Sequence, residues 1–199
     1  WYFPRGEKAV VVMTMDEHGG GDLVGRLDRY NQLSPAGCVV GAWDCVRSTT
    51  YLYTNAQISD AQLAAFQSQG HEFAVHVNTG CASFTPASLA NDYATQIPAL
   101  KAQFPSLNPQ VTQRTHCIAF SDWAGQPMTE LQNGIRLDTN YYFWPPEWVN
   151  DTPGLFTGSA MPMRFADVDG TMIYVYQATT QMTDESGQRY PFTINTLLD

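Results

Sequence analysis

The sequence predicts an α/β fold in which parallel strands, joined by right-handed crossovers, close into a barrel of about seven strands. Two observations support this fold class. Apolar runs typical of strands alternate with amphipathic helical segments along most of the chain, and neither an internal repeat nor a linker interrupts the alternation. Because 199 residues are enough for one hydrophobic core, we expect a single domain over residues 1–199.

The predicted strands are runs of apolar, β-branched and aromatic residues. Residues 8–15 are almost continuously apolar, as expected of a parallel strand that is buried on both faces. Residues 46–53 are rich in β-branched and aromatic side chains. The remaining predicted strands cover residues 72–77, 111–118, 135–139, 161–165 and 172–177. The aromatic and proline-rich residues 141–158 have no regular period and are predicted to form a loop.

Helical signals separate these strands. The predicted helices cover residues 22–33, 62–69, 85–104 and 128–133. Leu23, Leu27 and Tyr30 form one apolar stripe along the first helix. Ser59 is expected to cap the second helix, which ends at Gly70.

Charge and composition limit the function. The net charge of −9 argues against nucleic acid and anionic membranes as partners, because both bind to a basic protein surface. No apolar stretch is long enough to span a bilayer. The chain starts at Trp1 without a signal peptide, and residues 196–199 resemble the first turn of a helix. We therefore expect a processed product and a fragment of a longer protein.

The four cysteines indicate an oxidising compartment. Three pairings are possible among Cys38, Cys45, Cys81 and Cys117. The sequence contains no Cys-x-x-Cys pair, so a thiolate zinc site is not expected. The favoured pairing joins Cys38 to Cys45 within one loop and Cys81 to Cys117 between two loops. The alternative is four reduced, buried thiols. With disulfides, the protein is expected to be secreted or on the cell surface.

Acidic and imidazole side chains follow several predicted strands. Asp16, Glu17 and His18 follow the first strand, while His76 and His116 lie at the ends of the third and fourth. Parallel strands end at the same edge, so these groups are expected to converge. Carboxylates and imidazoles are ligands of zinc and similar divalent ions. The alternative is that each histidine is an ordinary hydrogen-bonded residue.

Arg114 lies two residues before His116, so both side chains face the same way on a strand. Turned inward, Arg114 would pair with Asp16 and keep it ionised. A surface ion pair is the alternative.

The segment from Asp138 to Trp148 is the predicted sugar-binding region. It contains five aromatic residues between positions 141 and 148, and sugars stack on such rings. Asp138 and Asn140 would bind sugar hydroxyls. The alternative is a loop that covers its own small core.

These motifs resemble the polysaccharide deacetylase family, the NodB-homology domains of carbohydrate esterase family 4. Residues 14–17, Thr-Met-Asp-Glu, resemble the family's first motif, Thr-Phe-Asp-Asp. This resemblance implies that Asp16 is the catalytic base and Glu17 a metal ligand. His76 matches the first histidine of the second motif, His-Ser/Thr-x-x-His. Arg114 matches the arginine of the third motif, which orients the base. The implied fold is a distorted (β/α) barrel of the NodB type.

The fourth and fifth motifs are matched by position. Residues 138–144 lie where the family builds an aromatic wall, and residues 174–177 lie where Leu-x-Leu-His supplies the general acid.

The chain also departs from the family's pattern. Gly80 stands where the second metal histidine is expected, and Gln177 stands where the acid histidine is expected. In the third motif, His116 and Ile118 replace proline and tyrosine. His18 or His116 would then replace the missing ligand or the missing acid. Gln177 can hydrogen-bond a substrate but cannot donate a proton as an acid.

The resemblance implies a metal-dependent hydrolase that removes acetyl groups from a polysaccharide or oligosaccharide. Asp16 and Arg114 are the expected catalytic residues. The expected ligands of a divalent metal, zinc by preference, are Glu17, His76, His116 and His18. The expected substrate-binding residues are Asp138, Asn140, Tyr141, Trp144 and Gln177. One alternative is a non-catalytic, carbohydrate-binding or structural relative. Another is metal-free glycan cleavage by Asp16 with Asp138 or Asp184.

Overall fold

The computed structural model describes residues 6, 8, 10–117, 122–140, 143–144, 154–155 and 161–180. The chain divides into two compact units. The first unit comprises Trp1–His76 and Thr95–Gln110, and the second comprises Val77–Ala94 and Val111–Asp199. Each unit has its own parallel strands, so the protein is a mixed α/β structure.

The first unit is built on a three-stranded parallel sheet. Its strands are β1 (Thr14–Glu17), β2 (Thr49–Leu52) and β3 (Glu72–Val75), with β2 in the centre. Two helices connect them, α1 (Leu23–Leu33) after β1 and α2 (Asp60–Ser68) after β2. Among the side chains buried in this unit are Leu23, Leu27, Tyr51, Leu52, Leu63 and Phe73.

The two predicted helices of this unit are confirmed, and local capping groups fix where they start. Asp22 accepts a hydrogen bond from the Gly25 amide at 2.9 Å at the start of α1. Ser59 and Gln62 form a reciprocal capping box at the start of α2.

The first predicted strand is wrong in its N-terminal half. β1 begins at Thr14 rather than at residue 8, and Val11 and Val12 are 75% and 65% exposed. The register explains the difference, because Thr14 pairs with Thr49, the first residue of β2. An apolar run forms a sheet strand only where a neighbouring strand is present to receive its hydrogen bonds.

A long helix, α3 (Pro86–Gln103), contributes its first residues to the second unit and the rest to the first. The second unit continues with β4 (Thr112–Gln113), α4 (Gly125–Gln132) and β5 (Leu137–Asp138). These are followed by β6 (Phe143–Trp144), β7 (Gly154–Leu155), β8 (Met163–Ala166) and β9 (Met172–Gln177). Its main sheet has the order β4-β5-β9-β8, and β4, β5 and β9 are parallel.

The prediction that all strands are parallel is wrong for β8, which is antiparallel to β9. Residues 167–171 connect them through a turn in which the Gly170 amide donates to the Asp167 carbonyl at 2.9 Å. A parallel connection needs a dozen or more residues, so this short link forces a hairpin. The expected loop 141–158 also contains an antiparallel pair, β6 and β7.

The expected closed barrel is not found in the part of the chain that the structure describes. The described strands form separate sheets of three, four and two strands.

Two disulfides join Cys38 to Cys45 and Cys81 to Cys117, as the sequence favours, each with a Cα–Cα distance of 5.3 Å. Within the described residues, no helix combines the length and apolar character needed to cross a membrane.

Candidate functional site

Three aromatic side chains cluster at the carboxyl edge of the first unit's sheet. His18, Tyr53 and His76 each directly follow the last residue of β1, β2 and β3. Those last residues are register partners, because Glu17 pairs with Leu52 and Leu52 with Val75. The carboxyl edge of parallel strands is where α/β proteins commonly bind ligands.

The three rings contact one another. The ring centroids are 5.2 Å apart for each pair, namely His18 with Tyr53, His18 with His76, and Tyr53 with His76. His76 is 1% exposed, whereas His18 is exposed and Tyr53 is half-buried. The three rings therefore form a triangle in which one imidazole is enclosed and the other is open to solvent. We name these three residues the ring cluster.

Asp16 brings a carboxylate to the ring cluster. It lies two residues before His18, so its side chain is on the same face of β1. Its Oδ2 is 3.9 Å from Nε2 of His76, and its side chain is 26% exposed. Burial, together with the negative charge of Asp16, raises the pKa of Tyr53 to about 12, so the phenol keeps its proton at neutral pH.

Glu17 does not share this face. Side chains alternate along a strand, so Glu17 points to the side opposite Asp16. It is 2% exposed, and its Oε1 accepts hydrogen bonds from the amides of Gly19 at 2.8 Å and Gly21 at 3.4 Å. Glu17 thus anchors the glycine loop, and the groups of candidate metal-ligating side chains found among the described residues do not include it. The order of the strand ends and the family resemblance both predict that Glu17 and His76 share a metal, and that remains a prediction.

His71 is a buried structural histidine. Its Nδ1 lies 3.4 Å from the Ser48 amide, and its Nε2 lies 3.1 Å from Oδ1 of Asn31. Burial and the positive charge of Arg47 lower its pKa to about 4. It therefore stays neutral and holds β2 and β3 to α1.

In the second unit, Arg114 and His116 follow β4. Arg114 is 8% exposed, which excludes a solvent-exposed surface ion pair. Burial raises the pKa of Asp138, and the positive charge of Arg114 offsets a small part of that rise. His116 is half-buried, and its amide donates to the Val77 carbonyl at 2.7 Å. Its backbone also forms a parallel bridge with Asn78.

Asp138 is fully buried in a polar network of the second unit. Its Oδ1 accepts from the Asn140 amide at 2.7 Å. Glu130 Oε2 and Asp138 Oδ2 are both buried without a hydrogen-bond donor among the described residues, and burial together with the charge of Asp138 raises the pKa of Glu130. Oε1 of Glu130 accepts from the Gln126 amide group at 2.7 Å and from the Tyr93 hydroxyl at 3.4 Å. Asp138 therefore faces the protein interior and not solvent.

A proton on one of two neighbouring carboxyl groups lets that group donate to the other. Burial raises the pKa of Glu130 well above its usual range, and it raises that of Asp138 to about 6. We name Glu130 and Asp138 the carboxyl pair. We expect this pair to share one proton at neutral pH, because two adjacent buried carboxylates repel each other.

The structure describes some of the remaining predicted substrate-binding residues. Asn140 is buried, and its Oδ1 accepts from the Thr115 amide at 2.5 Å. Gln177 ends β9 and pairs with Asp138 in the register. The backbone of Trp144 lies in β6, while Tyr141, like Trp148 and Asp184, lies outside the described residues.

Sequence reasoning missed Tyr53 and Glu130. Tyr53 carried a usable signal, since it lies at the end of the predicted strand 46–53, just as His76 and His116 lie at the ends of predicted strands. Glu130 carried none, because nothing in the sequence of α4 says which polar residue turns inward.

No family model matches the chain, and no curated protein shows a significant sequence match. Among solved structures, a family 4 carbohydrate esterase from Streptomyces lividans in complex with acetate is similar to this chain. The two share 16% sequence identity with a TM-score of 0.48, over 72% of this chain and 68% of that chain.

Proposed function

We propose that the protein is a metal-dependent hydrolase that removes acetyl groups from a glycan. The observation that carries the proposal is the convergence of one carboxylate and two imidazoles on one face of the first unit's sheet. Asp16, His18 and His76 meet there at the carboxyl edge of parallel strands. The motif that resembles the first deacetylase motif supplies the same Asp16.

The donor set fits a divalent ion. Imidazole nitrogens suit zinc, and the ligand nitrogens of His18 and His76 lie within 4.8 Å of each other. His76 and His18 would hold the ion. Once bound, a zinc ion would supply Lewis acidity and a water that is activated near neutral pH. His116 remains the sequence-based candidate for a further ligand.

Asp16 is suited to accept and return a proton. Its carboxylate is partly exposed, so solvent reaches it, and the neighbouring His76 helps to orient it. In the proposed reaction, water oxygen bonds to the acetyl carbon while Asp16 takes the water proton. The bond from the acetyl carbon to the glycan nitrogen or oxygen then breaks, and Asp16 returns the proton to that leaving atom. This route needs no acid at Gln177.

The test is release of acetate from acetylated chito-oligosaccharides by zinc-loaded protein. Asp16→Asn keeps the shape of the side chain but removes its basicity, so the rate is expected to fall by about 100-fold or more. Asp28→Asn, which changes an exposed acid on α1, is the matched control and should keep the full rate. A wild-type protein that binds zinc yet releases no acetate would overturn the proposal, as would an Asp16→Asn variant of undiminished activity.

A carbohydrate-binding relative without catalysis is the second candidate. It is favoured by Gln177 at the expected acid position and by the engagement of Glu17 with the glycine loop. It predicts glycan affinity that chelators do not change and that depends on Trp144 or Trp148. Binding measured with and without a chelator separates the two functions.

A further inference from the structure

We propose that Tyr53 is a positioning residue that fixes His18 and His76 in the orientation needed to bind a metal ion. The inference rests on the proposed function. It adds a residue that neither the sequence motifs nor the family resemblance identifies.

The strand order provides the geometric argument. His18 follows β1 and His76 follows β3, and β2 lies between these two strands. Neighbouring strands are about 4.8 Å apart, so backbones two strands apart are separated by roughly twice that distance. The imidazole centroids are nonetheless only 5.2 Å apart. The two rings must therefore lean towards each other over the end of β2.

Tyr53 occupies the end of β2. Its ring centroid is 5.2 Å from that of each imidazole, so it touches both. Its plane is inclined by 28° to that of His18 and by 35° to that of His76. A planar side chain in that position limits the rotation of both imidazoles. Ligands held in place before binding lose less conformational freedom when the ion arrives.

The tyrosine hydroxyl supports a positioning role rather than contact with substrate. The phenolic oxygen is buried, whereas His18 and part of Asp16 are open to solvent. A substrate that approaches from solvent would meet those groups first. The ring itself is therefore the part of Tyr53 on which the role depends.

The experiment is a zinc titration of the full chain with a competing chromophoric chelator. Tyr53→Leu removes the planar ring and is expected to weaken zinc binding by about 10-fold to 100-fold, the range typical of residues that orient metal ligands. Tyr53→Phe keeps the ring and should bind within about threefold of wild type. Tyr174→Leu, at an exposed tyrosine of β9, is the matched control.

Thermal unfolding of each variant shows whether it is folded. A folded Tyr53→Leu variant with wild-type zinc affinity would overturn the inference, and a Tyr53→Phe variant as weak as Tyr53→Leu would also overturn it. If wild type itself binds no zinc, the proposed function fails. Nuclear magnetic resonance order parameters of the metal-free His18 and His76 rings then decide the inference. Positioning by Tyr53 predicts that both rings become more mobile in Tyr53→Leu and remain ordered in Tyr53→Phe.

Discussion

A step of one residue along β1 separates two carboxylates with different roles. Asp16 faces the ring cluster, while Glu17 faces the glycine loop and binds the amides of Gly19 and Gly21. The sequence identifies both acids but not their directions, because side-chain direction depends on which residues are paired in the strand. Only the register of β1 against β2 supplies that information.

Replacement of Glu17 tests this division of roles. Glu17→Ala leaves two loop amides without their acceptor and is expected to destabilise the fold by about 1–3 kcal/mol. Zinc affinity should stay within about threefold of wild type, because the side chain lies on the opposite face from His76. Urea denaturation and zinc titration measure the two effects. A loss of zinc binding with unchanged stability would show that Glu17 is a ligand after all.

At the scale of the element, helices were more predictable than strands. The start of α2 depends on Ser59 and Gln62, which lie three residues apart and carry their own capping signal. The start of β1 depends on Thr49, which lies 35 positions away from Thr14 in the sequence, and the apolar run that precedes Thr14 gives no hint of it. Strand ends were nevertheless close enough to place the site residues, since His18 and His76 both follow strand ends.

The carboxyl pair links α4 to β5 and makes the stability of the second unit depend on pH. Both folded pKa values are raised, so the folded state binds more protons than the unfolded state. The stabilising contribution of the carboxyl pair is complete below about pH 4, the ordinary pKa of a carboxyl group. The contribution decreases as pH rises through about 6, the pKa of Asp138, and beyond it.

Glu130→Gln tests the carboxyl pair. Glutamine donates a permanent N–H to Asp138, so the pair no longer needs a proton. The difference in melting temperature between the variant and wild type should increase from pH 5 to pH 8, because the wild-type pair loses its proton over this pH range. Melting curves at both pH values measure this, with Asp28→Asn as the control for loss of an acid. A difference that is independent of pH would refute the shared proton.

At the scale of the whole molecule, the sequence predicted the α/β class but not the arrangement of strands. Alternation of strand and helix signals is a local property and was correct for most elements. Barrel closure and strand direction depend on pairings between distant residues. The reversal between β8 and β9 is decided by a five-residue connection whose turn carries Gly170 at a φ of +84°. Asp169 and Gly170 are typical of such a turn, whereas closure of a barrel is not encoded in any local stretch of the sequence.

The two disulfides should contribute unequally to stability. The Cys81–Cys117 bond spans 36 positions, and the Cys38–Cys45 bond spans 7. Constraint of the unfolded chain grows with loop length, so we expect losses of about 4 kcal/mol for Cys81→Ser with Cys117→Ser and about 2 kcal/mol for Cys38→Ser with Cys45→Ser. Urea denaturation of the two double variants compares them. Equal losses, or a larger loss from the short loop, would contradict the expectation.

The most direct test of the central claim is zinc binding by the first unit's site. Isothermal titration of the full chain is expected to give one zinc ion bound per chain in wild type. His76→Ala removes the most buried imidazole of the ring cluster and is expected to weaken binding by about 10-fold or more while the chain remains folded. Wild type that binds no zinc, or a folded His76→Ala variant that binds zinc as tightly as wild type, would contradict the account.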